Sequence, residues 1–84
     1  MSKKDKLIKR LLSRPSDFTF EELIALFGSF GYSLYYSGKT GGSRVKFSNN
    51  SGDYIKLHKP HPRNELKPYQ INEIIVALAE RNLI

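Results

Sequence analysis

The sequence predicts an α+β domain in which a three-stranded antiparallel sheet carries its helices on one face, in the order α-α-β-β-β-α. Three observations predict it. Apolar residues recur at helical spacing up to Phe30, the period shortens to two from Tyr32 to Lys59, and a helical stripe returns after Pro68. The two connections inside the period-two segment, GKTGG and NNSGD, are short and rich in residues that tolerate tight or left-handed turns. The strands therefore run as an antiparallel meander.

Leu7, Ile8, Leu11 and Leu12 form the first helical stripe, expected over residues 3–13 and stopped by Pro15. Lys3, Lys4, Lys6, Lys9 and Arg10 fill much of its remaining surface. That basic face suits anionic lipid or RNA, and equally a helix packed by its leucines with its lysines in water. The second helix opens with TFEE, residues 19–22, a capping box in which the Thr19 hydroxyl and the Glu22 carboxylate each take a backbone amide of the other. Phe20, Leu23, Ile24, Phe27 and Phe30 give it a buried face, and Gly28 and Gly31 mark where it frays and ends. Strands are expected at residues 32–37, 43–48 and 54–59. Pro68 suits a first helical turn, and Ile71, Ile74, Ile75 and Leu78 make the stripe of the closing helix.

Composition narrows the function classes. A chain of 84 residues is expected to form one domain, 1–84, and its ten Phe and Tyr side chains offset a hydrophobic fraction of only 39%. It has no cysteine, which removes disulfide scaffolds and thiolate zinc sites and agrees with a reducing compartment; a cytoplasmic location is expected. Lys9 and Arg10 interrupt the apolar stretch after Leu7 and Ile8, so neither a secretion signal nor a membrane span is read, and no membrane partner is expected. A formal charge of +6 points to a polyanionic partner, although solvated lysines would give the same sum.

Alternation places that charge. With Val45, Phe47, Ile55 and Leu57 turned to the core, Arg44, Lys46, Lys56 and His58 share the open face with Tyr54 beside them, a set able to neutralise phosphates and stack a base. Basic residues also keep an exposed strand soluble and blunt edge pairing, but four on one small sheet exceed that need. In GGSR the glycines let amides approach an anion and the Ser43 hydroxyl can donate to a phosphate oxygen; two glycines in a hairpin are also simply a turn. In KPHPRNELKP, Pro60 and Pro62 stiffen the backbone around His61, and a histidine so held can transfer protons near neutral pH or merely bond a carbonyl. Glu65 reads most simply as a first-turn acid of the closing helix. His58 and His61 have no carboxylate or thiolate at ligand spacing, so neither a metal nor a small-molecule cofactor is expected. The expected RNA contacts are Lys39, Gly42, Ser43, Arg44, Lys46, Tyr54, Lys56, Lys59 and Lys67, and the catalytic candidates are Arg44, His58 and His61.

An amphipathic helix, then GGSRVKF, then PHPRNELKP and a closing helix resembles the HicA toxin family of bacterial and archaeal toxin–antitoxin systems. His61, Pro62, Glu65, Leu66 and Lys67 match the second motif in identity and spacing. The resemblance covers residues 19–84 and leaves 1–15 as an N-terminal helical extension. It implies a fold similar to double-stranded RNA-binding domains, a ribosome-independent endoribonuclease acting on mRNA, and a HicB antitoxin that covers the active surface. The family's first motif usually carries a histidine credited with catalysis where this chain has Arg44. Arginine does not exchange protons at neutral pH, so Arg44 can hold a phosphate or stabilise a phosphorane but cannot act as acid or base. Either His58 or His61 supplies the proton transfer, or the protein is an RNA-binding or antitoxin-binding module without nuclease activity.

Overall fold

A computed structural model describes residues 2–36, 44–60 and 63–84. Helices α1 (Lys3–Leu12) and α2 (Phe20–Ser29) precede strands β1 (Ser33–Tyr36), β2 (Arg44–Ser48) and β3 (Tyr54–His58), and α3 (Pro68–Glu80) closes the chain. The strands form one antiparallel sheet in the order β1-β2-β3, and the α+β class and element order are those the sequence predicts.

The elements begin and end where local chemistry dictates. Ser2 caps α1, and the Thr19–Glu22 capping box is complete at α2, with Glu22 N–H donating to Thr19 Oγ1 at 3.2 Å and Thr19 N–H to Glu22 Oε1 at 3.0 Å. At the far end of α2, Gly31 sits at φ +89°, and the Gly31 and Tyr32 amides fold back onto the Gly28 and Phe27 carbonyls at 3.0 and 2.9 Å. This is a Schellman motif. Tyr32 was expected in the first strand, but its amide is committed to α2, so β1 starts at Ser33. Asn82, at φ 58°, closes α3 in the same way.

All three helices supply the core on one face of the sheet. Val45, Phe47 and Ile55 from the strands meet Leu23, Leu26 and Phe27 of α2, Ile71, Ile74 and Leu78 of α3, and Leu11 of α1. Phe47 is its centre, with Phe27 edge-on at a centroid distance of 4.6 Å and Phe20 at 6.2 Å. Helix α1 is fixed to the start of α2 by Arg10, whose guanidinium grips Glu22 at 2.7 and 3.2 Å and the Asp17 carbonyl and carboxylate at 3.0 Å. Helix α3 lies along the terminal strand β3 and takes both of its end carbonyls: Arg81 donates to Tyr54 O at 3.2 Å and Gln70 to His58 O at 2.7 Å. No described helix is long and apolar enough to cross a membrane.

Candidate nucleic-acid interface

The register of the sheet assembles the candidate site. Arg44 lies opposite His58, Lys46 opposite Lys56, and Ser48 opposite Tyr54. Directly opposed residues project to the same side, and the core takes the alternate positions Val45, Phe47 and Ile55. Strand β1 adds Ser33 opposite Ser48 and Tyr35 opposite Lys46. The open face therefore holds Arg, His, two Lys, two Tyr and two Ser among the described residues, and no carboxylate.

Two lysines directly opposite each other repel. Here Tyr54 lies beside both, with the Lys46 and Lys56 ammonium groups 5.5 and 5.4 Å from its ring centroid. The electron-rich ring face offsets part of that repulsion, and the unneutralised remainder is available to a phosphate. Arg44 and His58, neighbours across β2 and β3, are both exposed at one end of the same face.

The end of β3 is tied to the PHPRNELKP segment. Gln70, buried in the first turn of α3, donates to the His58 carbonyl and accepts the Lys67 amide at 3.0 Å. Leu66 is buried, and its amide donates to Phe18 O at 2.7 Å while Phe20 N–H donates to Asn64 O at 3.0 Å. The Asn64 side chain also donates to Glu21. Glu65 thus forms a β-bridge with Thr19 and an ion pair with Arg63 at 3.4 Å. It lies two residues before the Lys67 N-cap, outside the helix, which corrects the expectation of a first-turn acid.

The structure brings together Arg44, Lys46, Tyr54, Lys56 and His58. Lys59 is set apart from them, its ammonium 5.7 Å from the Phe20 ring, and Lys67 is exposed at the α3 N-cap. Lys39, Gly42, Ser43 and His61 lie outside the described residues. Two residues went unnamed in the sequence reading. Tyr35 carried a signal, since Leu34 turned inward sets it outward by alternation. Gln70 carried only its three-residue spacing from Lys67. A cleft of about 170 Å³ lies on the helix side of the sheet edge, between β3 and α3, lined by Ile55, Leu57, Gln70, Glu73 and Ile74 among others. No three His, Asp or Glu side chains among the described residues gather within reach of one metal ion.

A family model described as the HicA toxin of bacterial toxin–antitoxin systems matches residues 20–79, from the first residue of α2 to the last turn of α3. No curated protein and no solved structure matches the chain.

Proposed function

This chain belongs to the HicA toxin family of bacterial toxin–antitoxin systems, and on that premise we propose that it is an RNA-binding, metal-independent endoribonuclease that cleaves mRNA in the cytoplasm and so arrests translation. Family membership carries a toxin role and a cognate antitoxin; a HicB-like protein covering the basic sheet face is the partner this reading requires. The domain core is residues 19–84, with 1–15 as the extension.

The observation that carries the reading is the Arg44–His58 pair, facing each other across β2 and β3 on a surface with no carboxylate among its described residues. Attack of a ribose 2′-oxygen on the adjacent phosphorus breaks the bond to the 5′-oxygen and leaves a 2′,3′-cyclic phosphate. One group must take the 2′ proton and one must protonate the departing 5′-oxygen. Neutral His58 can do the first and, as imidazolium, the second. The Arg44 guanidinium, always charged and forked, stabilises the doubly negative phosphorane. Lys46 and Lys56 hold the flanking phosphates. His61 is the other candidate for proton transfer.

Incubating purified protein with a long single-stranded RNA, with and without EDTA, beside His58→Ala and His61→Ala variants tests this. The expected result is EDTA-resistant cleavage lost in the His58→Ala variant. Cleavage that survives both substitutions overturns the assignment. Retarded but intact RNA would establish the second reading, RNA binding without cleavage, which the arginine in place of the family's histidine favours.

A further inference from the structure

We propose that Tyr35 and Tyr54 form a two-base stacking platform, so that this sheet face takes single-stranded nucleic acid with its bases splayed apart and laid on the two rings. The inference rests on the reading of the face as a nucleic-acid surface, and adds to it how the ligand lies and which form it must have. Tyr35 and Tyr54 are about half exposed, at 54% and 50%. Both project from the same open face: Tyr35 directly across from Lys46, and Tyr54 two residues along β3 from Lys56, which is itself across from Lys46. The two tyrosines thus sit on opposite edge strands of the sheet, with Lys46 on the strand between them and Lys56 beside Tyr54 on β3.

The placement suits bases. Apart from the two rings, the described part of the face consists of Ser33, Arg44, Lys46, Ser48, Lys56 and His58, with no aliphatic side chain among them, so an antitoxin covering it would bind through charge and the same two rings and would compete with the strand. Rings set singly among cations match the pattern by which sheet surfaces hold nucleic acid, with bases on aromatics and phosphates on the charges between. The Lys46 and Lys56 ammonium groups beside the Tyr54 ring, at 5.5 and 5.4 Å, occupy the place a base would enter. A base displaces them, and the freed lysines are then within reach of the phosphates on either side of it.

Spacing selects the ligand. Two strand separations of about 4.8 Å and two residue rises of about 3.4 Å put the tyrosine backbones roughly 12 Å apart. Bases stacked in a duplex follow one another every 3.4 Å or so. Two bases that rest on these two rings are therefore not stacked neighbours, and bases paired inside a duplex present no free face to either ring. The strand must be single, unstacked, and run across the sheet from β1 to β3 over Lys46.

The experiment uses the full chain and three fluorescein-labelled ligands of ten nucleotides: a 2′-O-methyl oligouridylate that cannot be cleaved by 2′-oxygen attack, an abasic strand of the same charge, and a blunt duplex. Anisotropy titrations are compared for wild type, Tyr35→Ala, Tyr54→Ala, the two Tyr→Phe variants, and Lys46→Ala. We expect the base-bearing strand to bind at least about tenfold more tightly than the abasic strand, and each Tyr→Ala change to remove roughly tenfold of its affinity alone, with Phe retaining it. Lys46→Ala weakens all three ligands together and lowers the salt slope by about one unit. Equal affinity for the abasic and base-bearing strands, or a preference for the duplex, overturns the platform while the phosphate-binding reading stands. Tyr→Ala variants that bind every strand normally but no longer bind a cognate protein also overturn it and assign the tyrosines to protein docking. An absence of salt-dependent affinity for any strand overturns the platform together with the reading it rests on.

Discussion

Gln70 donates its side-chain amide to the backbone carbonyl of His58 at 2.7 Å, joining the first turn of α3 to the last residue of β3. The same side chain accepts the Lys67 amide at 3.0 Å and is buried, so water cannot easily replace either bond. A buried backbone group left without a partner costs about 1–3 kcal/mol. Gln70→Leu should therefore lower the unfolding free energy in urea by about 2–3 kcal/mol. Gln70→Glu keeps the acceptor for Lys67 but turns a second acceptor toward the His58 carbonyl, and should destabilise comparably despite its near-identical shape. A loss under about 0.5 kcal/mol in both would mean that the bonds are dispensable.

Two glycines in neighbouring turns of the chain predict opposite signs. Gly31 adopts φ +89°, where an L side chain is strained, and its added Cβ would meet nothing within 4 Å, so the penalty is purely conformational. Gly31→Ala should cost about 1–2 kcal/mol. Gly28 lies inside α2, also with open space around a Cβ. Gly28→Ala should add about 0.5–1 kcal/mol, because alanine has less backbone entropy to lose in a helix. Thermal melts of the two single variants check both signs, and the double variant measures their coupling, since the Gly31 amide donates to the Gly28 carbonyl at 3.0 Å.

Asp53 links folding to pH. Hydrogen bonds from Arg81, at 2.6 Å, and then from the Tyr32 hydroxyl, at 2.5 Å, hold its carboxyl below the usual carboxylate range. A depressed native pKa means that the unfolded chain binds the proton first on acidification. The contribution is fully present above the unfolded value near 3.9 and is lost as pH falls through the lower folded value. Unfolding free energy measured from pH 6 down to pH 2 should fall less steeply for Asp53→Asn than for wild type. Glu22, lowered chiefly by its hydrogen bond from Arg10, adds a second acid-sensitive contribution that Asp53→Asn leaves in place. Equal slopes would show that the Asp53 clasp does not form in solution.

What was legible in the sequence was local. The Thr19–Glu22 capping box, Pro68 in the first turn of α3 and the alternation that turns Val45 and Phe47 inward each depend on residues within four positions of one another, and all are present. The contacts that position the candidate site are not local. The Thr19–Glu65 bridge, the Asp53–Arg81 pair and the Arg10 grip on Glu22 join residues whose separations follow from how the elements dock, which no periodicity encodes. The helical stripe of α1 showed that a face is buried, but not that Leu11 reaches the common core and Arg10 ties α1 to the α2 cap. Tyr35 was within reach of the alternation rule. Charge drew the site inward to β2 and β3, and the aromatic on β1 completes the face.

The Arg44–His58 pair makes a prediction that separates binding from chemistry. If Arg44 acts on the phosphorane, its contribution grows in the transition state, so substitution should lower the cleavage rate more than RNA affinity. Arg44→Ala should reduce single-turnover cleavage by about 100- to 1000-fold, as the loss of one preorganised donor does elsewhere. Arg44→Lys keeps the charge but not the forked pair of donors, and should lose roughly 10- to 100-fold in rate while binding an uncleavable RNA within a few-fold of wild type. Parallel losses of rate and affinity in both variants would confine Arg44 to ground-state binding. In that case stabilisation of the phosphorane would fall to Lys46 or Lys56, the remaining cations of the same face, and their alanine variants would show the rate loss instead.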